Sequence, residues 1–320
     1  MAITSRVLPL SYNTKTYGDG ARQYTSLDTW EQATDIDLVS AGKGEVLECY
    51  DDAASFDDSV ILYGATVSSD YFRVIKPATG EGHDGTKNNG VTFAPTAPVG
   101  VYDDAFTLYE AYASIQDLIV IVETSADRAI MLEANLTSAI GCITTGYIGI
   151  YSYNFVGTVY SINCLSQDCP WGFYAAASSS ILYCLNCTAV DGSYGFYRAT
   201  PTLYCINCCS CDNSLGDFYL AEQTTCYGGD DTVFANQAGD DYHLHADDTT
   251  CRNQGTNLSG IFADRKIMNI EGDAKVIGIT LPTIIMGVKA IGEGLSIYNF
   301  DDDIDAETRS AWDIGFDEYS

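Results

Sequence analysis

The sequence predicts an all-β fold, a right-handed parallel β-helix of coils near 22 residues, with a short N-terminal cap helix and a C-terminal β module. Three observations predict it. Short extended runs (EVLECY, SVILYGATV, YFRVIKP, SIQDLIVIVE, RAIMLEANL, GCITTGYIGIYSY) follow one another from Gly44, separated by Gly, Asp, Asn, Thr and Pro. No helical periodicity is found between residues 45 and 245. Two markers also recur with one period. Tyr160-Ser161-Ile162-Asn163-Cys164 returns as Tyr183-Cys184-Leu185-Asn186-Cys187 and as Tyr204-Cys205-Ile206-Asn207-Cys208, so the asparagines step by 23 and 21 residues. Gly149-Ile150-Tyr151 returns at Gly172-Phe173-Tyr174, Gly195-Phe196-Tyr197 and Asp217-Phe218-Tyr219, with steps of 23, 23 and 22.

Residues 1–24 are polar and irregular and read as an arm or strand attached to something else. Residues 25–43 read as a capping helix and lead-in. Thr25 and Asp28 make a T-x-x-D pattern, and Leu27, Trp30, Ala33 and Thr34 fall at helical spacing, placing a helix over about 27–36 with Trp30 buried. Residues 44–245 are assigned to the β-helix, with about nine coils stacked at roughly 4.8 Å into a rod about 40 Å long. Equivalent residues then form ladders: Ile162, Leu185 and Ile206 in the core, Ile150, Phe173, Phe196 and Phe218 as an apolar column, and Asn163, Asn186 and Asn207 with amides bonding coil to coil. A solenoid needs both ends covered. The Trp30 helix is the expected N-terminal cap, and residues 246–320 are the expected C-terminal cap and attachment module.

Composition narrows the function classes. With 44 Asp+Glu against 15 Lys+Arg the net charge is −29, which repels phosphate and argues against nucleic-acid binding. A hydrophobic share of 46% argues against a disordered acidic tail. The apolar windows Leu118–Val122 and Ile277–Val288 are too short or interrupted to span a bilayer, so no membrane insertion is expected. The opening residues carry no signal-peptide core, so the twelve cysteines are expected as thiols in a reducing cytosol, with disulfides the minority alternative.

Two end segments carry a family resemblance. YTSLDTWEQATDIDLVSAGKGEVLECYDD (Tyr24 to Asp52) resembles the opening of right-handed β-helix proteins of tailed bacteriophages, marine ones especially. Tyr71-Phe72-Arg73-Val74-Ile75 with His83-Asp84-Gly85-Thr86 resembles that group's second motif. Asp241-Tyr242-His243-Leu244 and Trp312-Asp313-Ile314-Gly315-Phe316-Asp317-Glu318-Tyr319 resemble its closing segments. The usual closing phrase has Ala where Phe316 stands, and residues 265–300 replace the basic, glycine-rich link expected there. The resemblance covers about half the chain. It implies a virion structural protein projecting from capsid or tail, as a decoration protein, head fibre or spike. Such a protein would be assembled in the host cytoplasm and displayed on the virion surface. It would be attached to other capsid or tail proteins through residues 1–24 or 265–320. Analogy with phage appendages implies a homotrimer, with a host-surface glycan as candidate ligand and no cofactor.

Asp168, Asp191 and Asp212 each follow a ladder asparagine by five residues, so stacking brings three carboxylates within roughly 5–10 Å, a range that includes glycosidase separations. They are the weak catalytic and metal candidates and carry the alternative function, a glycan depolymerase or glycosidase. A row of solvated turn aspartates is the plainer reading. Residues 129–197 contain no Lys or Arg, which counts against lyase chemistry on this face. Cys184-x-x-Cys187 and Cys205-x-x-Cys208 have zinc-ribbon spacing. The repeat itself generates that spacing, however, and residues three apart on a strand face opposite sides unless a turn intervenes, so buried thiol ladders are expected. His243 and His245 among Asp240, Asp241, Asp247 and Asp248 read as a strand entering the C-terminal cap, with a metal site the lesser alternative. Gly80-Glu81-Gly82-His83-Asp84-Gly85 satisfies G-x-G-x-x-G but precedes no helix and carries two acids, which excludes a phosphate loop.

Overall fold

The structure, a computed structural model, describes residues 8–97, 104–123, 127–153, 156–176, 179–200, 202–229, 233–256, 258, 275–276, 279–280 and 313–315. The fold is a parallel β-helix. Its strands form three stacks, each parallel throughout. The first sheet has nine strands: Tyr12–Tyr17, Gly44–Cys49, Arg73–Pro77, Ser114–Gln116, Ser138–Ile140, Gly157–Ile162, Ser180–Leu185, Thr202–Ile206 and Glu222–Thr224. The second stacks seven strands from Thr92–Phe93 to Tyr227–Gly229, and the third seven from Val60–Leu62 to Gly216–Tyr219. The first strand of the first sheet comes from the N-terminal arm, since Tyr12–Tyr17 pairs in register with Gly44–Cys49. Parallel stacking ends at Gly229, short of residue 245, and from Gly44 it makes about eight coils where nine are expected; with the arm strand the first sheet is nine layers at about 4.8 Å, a rod near 40 Å long.

The capping helix runs Leu27–Thr34, two residues shorter than its pattern predicts, and its N-cap is Ser26. Ser26 Oγ accepts from Thr29 N at 3.4 Å, while Asp28 accepts from Gln32 Nε2 at 2.7 Å instead of pairing with Thr25. Its buried face is Leu27, Trp30, Glu31 and Thr34; Ala33 is exposed. The exchange of Ala33 for Glu31 has a cause in Arg73, which is fully buried and draws in both Glu31 and Glu110. A one-turn helix, Leu38–Ala41, follows; its sequence signals are only the capping Asp37 and the left-handed Gly42 (φ 66°).

Between the first and second sheets each later coil turns through two residues. The first is left-handed: Asp117, Gly141, Asn163, Asn186, Asn207 and Thr225 all have φ between 50° and 60°. The second, at Leu118, Cys142, Cys164, Cys187, Cys208 and Cys226, packs with the solenoid interior. Asparagine is favoured at the turn because its short polar side chain tolerates the left-handed region, which most L-residues avoid. The expected amide ladder does not form. Asn207 exchanges two hydrogen bonds with the Thr256 backbone, and the Asn186 amide is buried without a hydrogen-bond partner.

The interior holds Val159, Leu182 and Leu203, the column Ser161–Cys184–Cys205, and the aromatic column Phe173–Phe196–Phe218. Its rings stack at 4.7 and 4.9 Å with planes within 6°. Ile162, Leu185 and Ile206 form the expected ladder and are buried, but on the outer face of the first sheet, beside Tyr160, Tyr183 and Leu258. Strand alternation sends Ser161 inward and Ile162 outward.

Beyond the last coil, Phe234–Asn236 and Asp241–Leu244 make an antiparallel hairpin. It lies along the second sheet, where Val233, Phe234, Tyr242 and Leu244 cover Ile119, Ile143, Leu165 and Cys209. Asp313, Ile314 and Gly315 return to the same flank. Ile314 N donates to Cys251 O at 2.9 Å, Gly315 N donates to Asn207 O at 2.8 Å, and Asn253 N donates to the Asp313 carboxylate. Gly315 has φ 113°, and a Cβ there would sit 2.9 Å from Thr188 Oγ1. The described part of the 246–320 module is therefore a lateral cover. Lys275–Val276 and Ile279–Thr280 pair antiparallel. The remainder of the 265–300 departure, and Phe316, lie outside the described residues.

Candidate functional site

Asp168, Asp191 and Asp212 stand on successive coils at the turn leaving the second sheet, all left-handed (φ 56°, 59° and 54°). Their backbones are locked in register, because each amide donates to the following coil: Asp168 N to Val190 O at 3.1 Å, Asp191 N to Cys211 O at 3.3 Å and Asp212 N to Gly229 O at 3.1 Å. The side chains are met by the hairpin. Gln237 Nε2 donates to Asp191 at 2.8 Å and to Asp212 at 3.2 Å, and Tyr242 Oη donates to Asp191 at 3.2 Å. Gln167 Nε2 bridges Asp168 and Asp240 at 3.2 and 2.6 Å.

A cation that sequence reasoning missed also reaches this row. Lys87 Nζ lies 2.9 Å from Asp240 and 3.8 Å from Asp168. It comes from the loop preceding the first strand of the second sheet, so a search of residues 129–197 could not find it. Burial raises the Asp191 carboxyl above the usual carboxylate range, against the hydrogen bonds from Tyr242 and Gln237 that favour its ionised form. The same packing pushes the Tyr242 hydroxyl upward, by burial first and then by the Asp191 charge.

The Gly80–Gly85 stretch opens the loop that carries Lys87. Asp84 accepts from Thr86 N at 3.2 Å and from Asn89 Nδ2 at 2.8 Å. His83 is buried, with Nε2 2.5 Å from Gly141 O and Nδ1 accepting from Gly85 N at 3.3 Å. The histidine thus anchors the loop to a corner of the solenoid.

The four cysteines of zinc-like spacing do come together, against the expectation that residues three apart face opposite sides. A turn intervenes: left-handed Asn186 and Asn207 swing Cys187 and Cys208 inward beside Cys184 and Cys205. Each corner thiol then bonds backbone. Cys187 Sγ donates to Ser161 O at 3.3 Å, Cys208 Sγ to Cys184 O at 3.3 Å, and Cys164 Sγ to Ala139 O at 3.4 Å. Burial pushes the Cys169 thiol up to about 12 and pushes Cys164, Cys184 and Cys208 upward as well, while, against their own burial, hydrogen bonds from neighbouring thiols pull Cys187 and Cys205 down, Cys205 to about 6. Among the described residues no group of three or more His, Cys, Asp or Glu side chains is arranged to hold a metal ion. His243 Nδ1 sits 2.5 Å from Asp241, and His245 Nδ1 accepts from Asp247 N at 3.1 Å.

The third sheet presents the longest aromatic face. Tyr151, Tyr174, Tyr197 and Tyr219 pair across successive coils, and Ile148, Trp171 and Tyr194 form a second column beside them. Neighbouring rings are 4.8 to 5.2 Å apart along the tyrosine column. Trp171, Tyr174, Tyr194 and Tyr197 are half-buried and Tyr219 is exposed. Arg198 at its edge pairs with Glu222 at 3.3 Å. Comparison with protein-family models, with curated proteins and with solved structures finds no match to this chain.

Proposed function

We propose that the chain is a structural protein of a tailed-phage particle, a stiff rod projecting from capsid or tail whose third sheet is its contact face. The observation that carries this reading is the difference between the three outer faces. The outward ladder of the first sheet is buried, the second sheet lies under the C-terminal hairpin, and the third leaves two columns of aromatic rings partly open. Tyrosine and tryptophan offer contact area with little conformational entropy to lose, and are enriched at interaction surfaces. The rings carry hydroxyls and little charge, which suits a polyhydroxylated glycan or a protein coat. Within this reading residues 1–24 or 265–320 attach the rod to other virion proteins, and the assembly is a homotrimer.

The glycosidase alternative needs aspartates free to meet substrate. Asp168 and Asp191 instead hold Gln167, Gln237 and Tyr242, with Lys87 at the edge of the row, which favours a structural role for them. Quantitative proteomics of purified particles tests the proposal. A fixed copy number per particle is expected, with particle or glycan binding lost in Trp171→Ala/Tyr197→Ala. Absence from particles, or polysaccharide cleavage abolished by alanine at Asp168, Asp191 and Asp212, would overturn it.

A further inference from the structure

Three cysteines stand apart from the interior columns. Cys209 and Cys211 project outward from the second sheet, two residues apart on one strand, with their sulfurs 3.5 Å from each other. Cys251 arrives from the C-terminal cover and packs into the same buried cluster as Cys209 and Cys211. All three are free thiols with no solvent exposure. They therefore join a strand of the rod to a segment that the rod's own hydrogen-bond ladder does not hold.

We propose that Cys209 and Cys251 are an oxidative modification site, forming a disulfide by exchange with a low-molecular-weight disulfide such as oxidised glutathione. The inference stands apart from the proposed function. In the closed state the sulfurs are out of reach, so exchange begins when the cover lifts. The Cys251 thiolate attacks one sulfur of the glutathione disulfide, that S–S bond breaks, and one glutathione leaves as thiolate and takes up a proton. On closure the Cys209 thiolate attacks the Cys251 sulfur and expels the second glutathione. Two protein thiols have then lost two electrons and two protons, and one glutathione disulfide has become two thiols.

Geometry selects this pair over Cys209 with Cys211. Residues two apart on an extended strand have Cα atoms about 6.6 Å apart, near the upper limit for a bridge. Such a bridge would also close only a turn of the strand. Bridging residue 209 to residue 251 closes a loop that contains the hairpin and fixes it to the second sheet. Ile314 bonds Cys251, Gly315 bonds Asn207 and Asp313 bonds Asn253, so the far C-terminal contact is held with it.

The test uses the full chain incubated with oxidised glutathione, followed by alkylation, peptide mapping and limited proteolysis. Two fewer alkylatable thiols are expected, with the Cys251 peptide linked to the Cys209 peptide. Cleavage within residues 234–256 should slow at least about tenfold, since it tracks opening of the cover. Cys211→Ser should leave linkage and protection in place, and Cys251→Ser should abolish both. Cys251→Ala serves as a second variant, with retained β circular dichroism showing that the rod still folds. A Cys209–Cys211 bridge, a stable glutathione adduct at Cys251, or no change in thiol count would each overturn the proposal.

Discussion

Arg73 and Glu110 form a buried ion pair through two nitrogens, with Nε donating to Oε1 at 3.0 Å and Nη2 to the other carboxylate oxygen. The same guanidinium donates through Nη1 to Glu31 Oε1 at 3.2 Å and to the Glu31 carbonyl at 3.1 Å, and through Nη2 to Tyr63 O at 2.9 Å. One side chain on the first sheet thereby ties the capping helix to two neighbouring coils. Arg73→Met should destabilise the chain by about 3–5 kcal/mol, because two buried carboxylates lose their cation. Urea unfolding measures the loss, and a red-shifted Trp30 emission would place it at the cap.

The corner asparagines are needed for their backbone more than for their amides. Asn186→Gly should change stability little, since the amide has no partner and glycine adopts φ 50° freely. Asn186→Ala should cost about 1–2 kcal/mol, the penalty of a left-handed alanine. Equal effects of the two substitutions in thermal unfolding would contradict this account.

Phe196 is stacked on both sides, by Phe173 and Phe218, and is fully buried. Phe196→Ala should cost about 3–5 kcal/mol, and Phe196→Leu much less because it keeps most of the volume. Phe218 lies on the last coil and is only half-buried, so its truncation should cost less than that of Phe196. Guanidinium midpoints for the three variants check the order.

Acid should stabilise this protein over a window where many proteins are indifferent. Burial raises the carboxyls of Glu31, Asp58, Glu110 and Asp217 above their usual range. A carboxyl harder to ionise when folded binds its proton more tightly in the folded state. Its contribution is therefore complete below the unfolded pKa of about 4 and is lost as pH rises through the higher folded value. The net charge of −29 acts in the same direction, since protonation relieves self-repulsion. The melting temperature should fall as pH rises from about 4 toward neutrality, and salt should recover part of the loss by screening. A melting temperature that rises across that range would refute the assignment.

The sequence by itself determined the coil. Its period, the interior columns through Phe173 and Phe196, the left-handed turns at the asparagines and the Trp30 cap are local or nearest-neighbour features, and a solenoid repeats each of them one coil later. Alternation of strand faces was legible too, but not which alternate faced inward. Ile162, Leu185 and Ile206 went to the outer face, because Ser161, Cys184 and Cys205 fill the narrow interior beside the corner cysteines. The tertiary structure alone decided what lies against the coils. Lys87 reaches Asp168 from a loop far earlier in the chain, Arg73 gathers Glu31 and Glu110, and Cys251 packs into the cluster of Cys209. These pairings carry no period and no spacing. They arise where non-repeating segments settle on a face that the repeat has already built.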